Sequence, residues 1–167
     1  YYRAVDGGRK KRGEFDTASW SARLGGKVGA HGLARSDRRN NGDDGFDYLR
    51  QSDSIYLNNS IQDSDYNSPK ERSWMVRYDL DMQAFGIPGL SFMTRYGKGN
   101  GADYSNANAV YMRRDAAGAP LTDQRRWERD IAAKYVVQSG NLKDLTLRLR
   151  QATVRSSGFE SDVEEGR

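Results

Sequence analysis

Two arginines spaced two residues apart, Arg148 and Arg150, are the residues whose type and spacing most directly indicate a chemistry. On a β-strand this spacing places both guanidinium groups on one face, about 6.6–7 Å apart along the strand. Each guanidinium is a planar fork of N–H donors that can bind a carboxylate through two parallel hydrogen bonds. The pair therefore predicts two successive carboxylate-binding positions. The alternative is that both arginines form ion pairs with neighbouring carboxylates and only stiffen the sheet.

Further charged side chains fall on one face of other predicted strands, because they alternate with apolar residues at the period of two that a strand requires. The basic positions on this face are Arg23, Lys27, Arg77, Arg95, Arg126 and Lys134. The acidic positions are Asp79, Asp81, Glu128 and Asp130. The acids predict either salt bridges with Arg77, Arg126 or Lys134 across adjacent strands or an acidic path, opposite the basic one, that orients a zwitterion.

No pattern in the chain indicates catalysis or a bound metal. The paired carboxylates lack an accompanying nucleophile motif, so no catalytic residue is predicted. Gly97, Gly99 and Gly101 lack the final glycine and the following helix of a phosphate-binding loop. With no cysteine and one histidine, the chain offers no thiolate site, and a zinc site is not expected. We therefore predict no metal and no cofactor.

The strand that most clearly positions charged residues is Ser73–Phe85, SWMVRYDLDMQAF. One alternating set is apolar with aromatic residues near one end, and the other set carries three charges. Its length, about 13 residues, exceeds the usual globular strand of about 5–6 and suffices for a tilted transmembrane strand of about 9–11. This pattern predicts one face in lipid and one in the water of a channel. A soluble sandwich with a dry core gives the same alternation and remains the alternative.

Other segments form strands separated alternately by short turns and long loops. The predicted strands are Tyr1–Ala4, Asp16–Gly29, a weak Leu33–Asp37, a short Ser54–Asn58, Leu90–Tyr96, Arg126–Gln138, Leu145–Thr153 and Val163–Arg167. The predicted long loops are Arg38–Glu71 and Gly97–Gln124. Short turns on one side and long loops on the other are typical of outer-membrane barrels and much less common in soluble sandwiches.

The composition fits a sheet that is half in water. The 167 residues are 36% hydrophobic, with a mean hydropathy of −0.93 and 18 glycines. No apolar run approaches the 18 residues of a transmembrane helix, which leaves a strand-based barrel possible. The net charge is +4, with 27 basic residues interspersed among 23 acidic ones. A mixed distribution of this kind argues against a basic tract for nucleic acid.

Several stretches resemble the C-terminal part of the OprD-type family, the substrate-specific outer-membrane porins of pseudomonads and related Gram-negative bacteria. The matching stretches are SWMVRYDLDMQAFGIPGLSFMTRY (Ser73–Tyr96), WERDIAAKYVVQSGNLKDLTLRLRQATVRS (Trp127–Ser156) and SIYLNNSIQDSDYN (Ser54–Asn67). YYRAVDGG, WSARLG and GFDYL follow the same order upstream. The resemblance covers nearly the whole chain and departs at Leu33–Asn41, where the apolar alternation is lost.

This resemblance implies an all-β fold, a transmembrane antiparallel β-barrel of eighteen strands in the Gram-negative outer membrane. The chain is expected to contribute about seven to eight C-terminal strands and two long loops. Residues 1–167 are expected to form the C-terminal portion of a single barrel domain, without its final strand.

The resemblance also implies a function and a set of residues that perform it. The family has a narrow pore, constricted by inward-folded loops and lined by a ladder of basic residues; Arg148, Arg150 and Arg167 match that ladder. Asp65 and Tyr66 are the candidates for the constriction.

The expected function is passive uptake of small carboxylate-containing solutes, not catalysis. The expected partners are those solutes, outer-membrane lipid and lipopolysaccharide, without nucleic acid, in a monomer or weak homo-oligomer. The alternative is a soluble β-rich module that binds anionic ligands or nucleic acid.

Overall fold

The protein forms one antiparallel sheet in which every strand pairs with its neighbours in chain order. The computed structural model describes residues 2–5, 16–46, 57–158 and 163–166. Within them the sheet has eight strands in the order of the sequence. They are β1 (Tyr2–Val5), β2 (Asp16–Val28), β3 (His31–Asn41), β4 (Arg72–Asp81), β5 (Leu90–Ala102), β6 (Gln124–Val136), β7 (Thr146–Ser156) and β8 (Val163–Gly166).

The connections between strands differ in length at the two ends of the sheet. At one end, residues 29–30, 82–89 and 137–145 link successive strands. At the other end, the connections are long: one spans residues 42–71, of which 42–46 and 57–71 are described, and the other spans residues 103–123. Gly29 takes a left-handed conformation, with φ of 56°, which permits the tight turn between β2 and β3. The expected alternation of short turns and long loops is therefore present.

The sheet exposes its apolar face and buries its polar face, the opposite of what a soluble protein does. Leu24 and Val28 on one face are each 82% exposed, and Leu149 on the same face is 69% exposed. The opposite face instead buries polar groups such as Ser19, and its fully buried side chains include several charged ones. A soluble sandwich would cover its apolar face with protein. A sheet that leaves its apolar face uncovered and packs protein on its polar face is suited to a surrounding of lipid.

Aromatic side chains form a row across the outward, apolar face. Trp74 lies 5.6 Å from Tyr96, and Tyr96 lies 5.7 Å from Trp127, measured between ring centroids. The three rings belong to β4, β5 and β6. Such rows are typical of the aromatic girdles at membrane interfaces. No helix among the described residues has the length and hydrophobicity needed to cross a membrane.

The structure corrects the predicted extent of β3. The sequence predicts only Leu33–Asp37, whereas the strand runs over His31–Asn41 and pairs along its length with β2 and most of β4. Its outward side chains include Arg35, Asp37 and Arg39. They remove the apolar alternation on which the prediction depended. Backbone pairing on both sides nevertheless supplies the hydrogen bonds that define a strand.

Other boundaries differ as well, including those of β6 and β7, which shift by one to three residues from the predicted Arg126–Gln138 and Leu145–Thr153. The predicted strand Ser73–Phe85 ends at Asp81, whose carboxylate accepts the Gln83 backbone N–H and caps a 3-10 helix over Met82–Phe85. β5 continues to Ala102, although its glycine-rich second half indicated a loop. Of the predicted short strand Ser54–Asn58, Leu57 and Asn58 lie in a bend and turn, and residues 54–56 lie outside the described residues.

Candidate pore lining and inner loop

Residues 57–71, which we call the inner loop, fold back onto the polar, inward face of the sheet. Tyr66 at the centre of this loop is completely buried. It occupies space that exists because β5 carries glycines there. A Cβ atom at Gly97 would lie 2.8 Å from the Tyr66 Oη, and one at Gly99 would lie 2.6 Å from Tyr66 Cδ1. In the sequence these glycines indicate a loop, whereas in the structure they belong to a strand and form the surface on which the inner loop packs.

A buried ion pair fastens the end of the inner loop to β6. Arg126 Nη2 lies 2.9 Å from Glu71 Oε2, and Arg126 Nε donates to Glu71 Oε1 at 3.1 Å. The side chains of Arg126 and Glu71 are 5% and 1% exposed. The guanidinium carbon also lies 5.1 Å from the centroid of the Tyr66 ring. Fork geometry and added hydrogen bonds are what a buried ion pair needs to offset the cost of desolvation.

Other wall residues bind the backbone of the inner loop. The Glu128 carboxylate accepts the backbone N–H groups of Asp63 at 3.0 Å and Ser64 at 2.6 Å. Arg38 donates to the Asp65 carbonyl at 2.7 Å. Asn40 donates to the carbonyls of Tyr66 and Ser68 at 2.8 and 3.1 Å. Buried backbone groups need such partners, so these side chains fix the path of the loop.

The second long loop, residues 103–123, braces the inner loop from outside. The Tyr104 hydroxyl donates to Ser68 Oγ at 3.0 Å. Lys70 lies 2.9 Å from an Asp43 carboxylate oxygen and 3.4 Å from one of Asp103. Its bond to Asp43 raises the pKa of Lys70, and the Ser105 backbone N–H lowers the pKa of Asp103. Burial raises the pKa of the Tyr66 phenol, which keeps that ring neutral.

An open recess remains on the inward face, towards the short-turn end of the sheet. Its volume is about 880 Å³. Six basic residues line it, Lys27, Arg77, Arg95, Lys134, Arg148 and Arg150. Three acidic residues, Asp79, Asp81 and Asp130, also line it. The structure thus brings together most of the charged positions predicted from the sequence.

Half of these basic residues have a carboxylate beside them. Arg77 forms two hydrogen bonds of 2.7 Å with Asp79, two residues along the same strand. Arg95 Nε lies 2.5 Å from Asp130 Oδ2, and Lys27 Nζ lies 3.7 Å from Asp81 Oδ2. The acids are therefore engaged as salt-bridge partners. Three of the four predicted acids thus form salt bridges, whereas Glu128 binds loop N–H groups instead. Of the predicted partners only Arg77 is used, and its bridge to Asp79 runs along one strand rather than across two.

The other three, Lys134, Arg148 and Arg150, form what we call the basic cluster. Lys134 and Arg148 are directly opposite each other on β6 and β7, and Arg150 is opposite Ala132. Within the described part of the chain, none of the three has a carboxylate within salt-bridge distance. Like charges directly opposite each other are destabilising. The cluster is therefore a favourable place for an anion.

The remaining predicted site residues lie elsewhere. Arg126 and Glu128 face inward but are at most 5% exposed, and both hold the inner loop. Tyr66 lies under the loop surface rather than on it. Arg23 lines a separate shallow recess beside Gly25. Arg167 lies outside the described residues.

Sequence reasoning missed the residues that dock the inner loop from β3. Arg38 and Asn40 were assigned to a loop, together with Glu71. Arg38 and Asn40 share a strand face with Ser36 at a period of two, and this alternation is the signal that could have identified them. Among the described residues, no group of three or more His, Asp or Glu side chains is placed to hold a metal ion.

Comparison with known proteins assigns this architecture to a family. Residues 1–167 match the outer membrane porins of the OprD family. The chain belongs to this family. It is similar to Porin D of Pseudomonas aeruginosa, with 37% identity over 175 residues that cover 98% of the chain and 39% of the relative. It is also 34% identical to the porin-like protein GalP of Pseudomonas putida, over the whole chain and 36% of that protein.

Solved porins of the OprD family share the fold. The crystal structure of OprD from Pseudomonas aeruginosa aligns with a TM-score of 0.88 and 38% identity, covering 98% of the chain and 43% of that structure. A BenF-like porin from Pseudomonas fluorescens aligns with a TM-score of 0.83 and 27% identity, covering 98% of the chain and 39% of that structure. The expected all-β barrel of the outer membrane is confirmed. The solved relatives are 18-stranded barrels, and the eight described strands align with a portion of them. The chain spans 36% to 39% of the length of the two curated relatives.

Proposed function

We propose that this OprD-family chain forms part of an outer-membrane channel for the passive uptake of small solutes that carry a carboxylate. The observation that supports the proposal is the basic cluster, Lys134, Arg148 and Arg150. It lines the open recess and has no carboxylate partner within the described residues. An incoming carboxylate is the counter-ion that this arrangement lacks.

The paired residues of the recess complement the cluster in the proposed mechanism. The pairs Arg77–Asp79 and Arg95–Asp130 form a nearly neutral part of the wall. The positive electrostatic potential is therefore concentrated on the side of the basic cluster. Arg148 and Arg150 are successive inward residues of β7, about 7 Å apart along the strand. A carboxylate can pass from one guanidinium to the next at this interval. Transport requires such binding, strong enough for entry and divided over several sites so that the solute can leave.

The test uses the full-length porin with Arg148→Ala and Arg150→Ala together. We expect uptake of a small carboxylate into liposomes to fall at least fivefold, because the solute loses two charge-assisted hydrogen-bonding positions of the path. Uptake of a neutral sugar of similar size should change less than twofold. The matched control, Arg129→Ala with Lys143→Ala, removes two exposed positive charges outside the recess and should leave both rates unchanged.

The outcomes separate the proposal from its rival. Equal uptake of the carboxylate by the double variant and the wild type would refute the proposed role of the cluster. A protein that stays soluble and folded without detergent would support a soluble β-rich module instead. If the channel function holds, liposome-swelling assays with a panel of carboxylates define which solutes the channel prefers.

A further inference from the structure

A second group of basic side chains lies on the outward face of the sheet, at its long-loop end. Arg39 of β3 and Arg72 of β4 are directly opposite each other, and both are exposed. Lys98 of β5 is opposite Trp74 and therefore diagonal to Arg72. We call Arg39, Arg72 and Lys98 the outer basic patch. It is on the opposite face from the recess and plays no part in the proposed solute path.

The outer basic patch lacks its own counter-ions. No hydrogen bond or ion pair reaches the side chains of Arg39, Arg72 or Lys98 within the part of the chain that the structure describes. The nearest acid along β3 is Asp37, which Arg35 engages through two hydrogen bonds of 3.2 Å. Two arginines directly opposite each other, with Cβ atoms about 4.5–5.5 Å apart, repel unless an anion lies between them.

The depth of the patch indicates which anion is available. Counting from His31 at the short-turn end, Arg39 is about 27 Å further along the strand, or about 21 Å along the membrane normal at a tilt of about 40°. This places it near the upper limit of an apolar band about 25 Å tall. Trp20 is directly opposite Arg39, and Trp74 is two residues from Arg72. Trp side chains mark the level of lipid headgroups.

The long loops of outer-membrane barrels face the extracellular side, so the patch belongs to the outer leaflet. The lipid of that leaflet in Gram-negative bacteria is lipopolysaccharide, whose lipid A moiety carries phosphate groups at the interface. Guanidinium groups match phosphate oxygens in bidentate geometry. We propose that Arg39 and Arg72, assisted by Lys98, bind a phosphate of lipid A and fix one lipopolysaccharide molecule against β3–β5. The inference depends on the family membership of the chain and is independent of the solute that the pore carries.

The test measures lipid binding by the purified full-length porin in detergent with EDTA, so that divalent cations cannot bridge the partners. The probes are diphosphoryl lipid A and the same lipid after removal of both phosphates. We expect Arg39→Ala with Arg72→Ala to weaken binding of the diphosphoryl lipid at least tenfold and to leave the dephosphorylated lipid unaffected. The control, Arg148→Ala with Arg150→Ala, removes two arginines from the other face and should retain wild-type lipid affinity.

A second variant keeps the test decisive if truncation disturbs the barrel. Arg39→Gln with Arg72→Gln retains side-chain length and should show the same loss, with heat-modifiable migration in gels as the check of folding. Wild-type affinity of either folded double variant for diphosphoryl lipid A would overturn the proposal. So would an equal loss for the phosphorylated and the dephosphorylated lipid, because the contact would then be apolar. Because solute uptake is not measured, failure of this inference is distinct from failure of the proposed channel function.

Discussion

Arginine side chains on the inward face differ in role according to whether a carboxylate lies within reach. Arg126 is enclosed with Glu71 beneath the inner loop, whereas Arg148 and Arg150 face the open recess. All three have the same chemistry and the same alternating position on a strand. The first stabilises the fold of the loop, and the others are available to a solute. Burial and partners, rather than residue type, make this distinction.

The residue-scale prediction concerns Arg126. Arg126→Ala leaves the Glu71 carboxylate buried without its cation, which costs about 3–5 kcal/mol in comparable buried pairs. The inner loop should therefore detach, and limited proteolysis of the folded full-length porin should cut within residues 57–71 at least tenfold faster than in the wild type.

The matched control for this prediction is the neighbouring Arg125. Arg125 pairs with Asp123, and both side chains are more than half exposed, 62% and 66%. Exposed pairs contribute about 0–1 kcal/mol, so Arg125→Ala should leave the rate of cleavage unchanged. Equal protection of the loop in the Arg126 and Arg125 variants would contradict the role given to the buried pair.

At the scale of elements, β3 shows how pairing overrides a poor sequence pattern. Its outward face carries Arg35 between Leu24 of β2 and Val76 of β4, and Asp37 between Ala22 and Trp74 of the same two strands. Hydropathy alternation therefore predicts less than half of the strand. β5 shows the converse, because its second half looks like a loop in sequence yet supplies the glycines against which Tyr66 packs. In both cases the deciding contacts join residues far apart in the chain, which a local pattern does not contain.

The element-scale prediction tests the cost of charge on the lipid face of β3. Arg35→Leu with Asp37→Leu should raise the free energy of unfolding of the full-length porin in lipid vesicles by about 1–4 kcal/mol, because an ion pair is replaced by apolar groups. Arg35→Leu alone should lower it, because Asp37 then lacks its cation. Denaturant titration followed by tryptophan fluorescence measures both changes.

A pair with the same spacing serves as the control for β3. Asp123→Asn with Arg125→Gln removes the charges of an exposed pair at the loop end of β6 and keeps a residue that tolerates the positive φ of Asp123, so it should change the free energy of unfolding by less than about 1 kcal/mol. Destabilisation by the double substitution on β3 would show that Arg35 and Asp37 stabilise the barrel through a partner other than lipid.

At the scale of the whole molecule, the sheet separates its charges by face. The recess has six basic and three acidic lining residues, so its lining carries a formal charge of +3. The outward face is apolar through most of its height and becomes basic at the long-loop end. The same strands therefore carry one charged surface in the recess and another on the outward face, because successive side chains point to opposite sides.

The whole-molecule prediction concerns ion selectivity. The full-length channel should favour anions over cations in salt gradients near 0.1 M, where the Debye screening length is about 10 Å. The preference for anions should largely disappear near 1 M, where the Debye screening length is about 3 Å. Reversal potentials in planar bilayers measure the change, and Arg148→Ala with Arg150→Ala should reduce the preference at low salt. A cation-selective wild-type channel would contradict the field inferred for the recess.

The sequence by itself determined the all-β class, the sidedness of turns and loops, and the face on which Arg148 and Arg150 lie. These follow from a period of two and from turn residues, which are local properties of the chain. Only the tertiary structure decided that Arg126 and Glu128 hold the inner loop while Lys134, Arg148 and Arg150 remain without carboxylate partners among the described residues. Register and loop docking place particular groups within hydrogen-bonding distance, and that proximity arises only when distant segments meet.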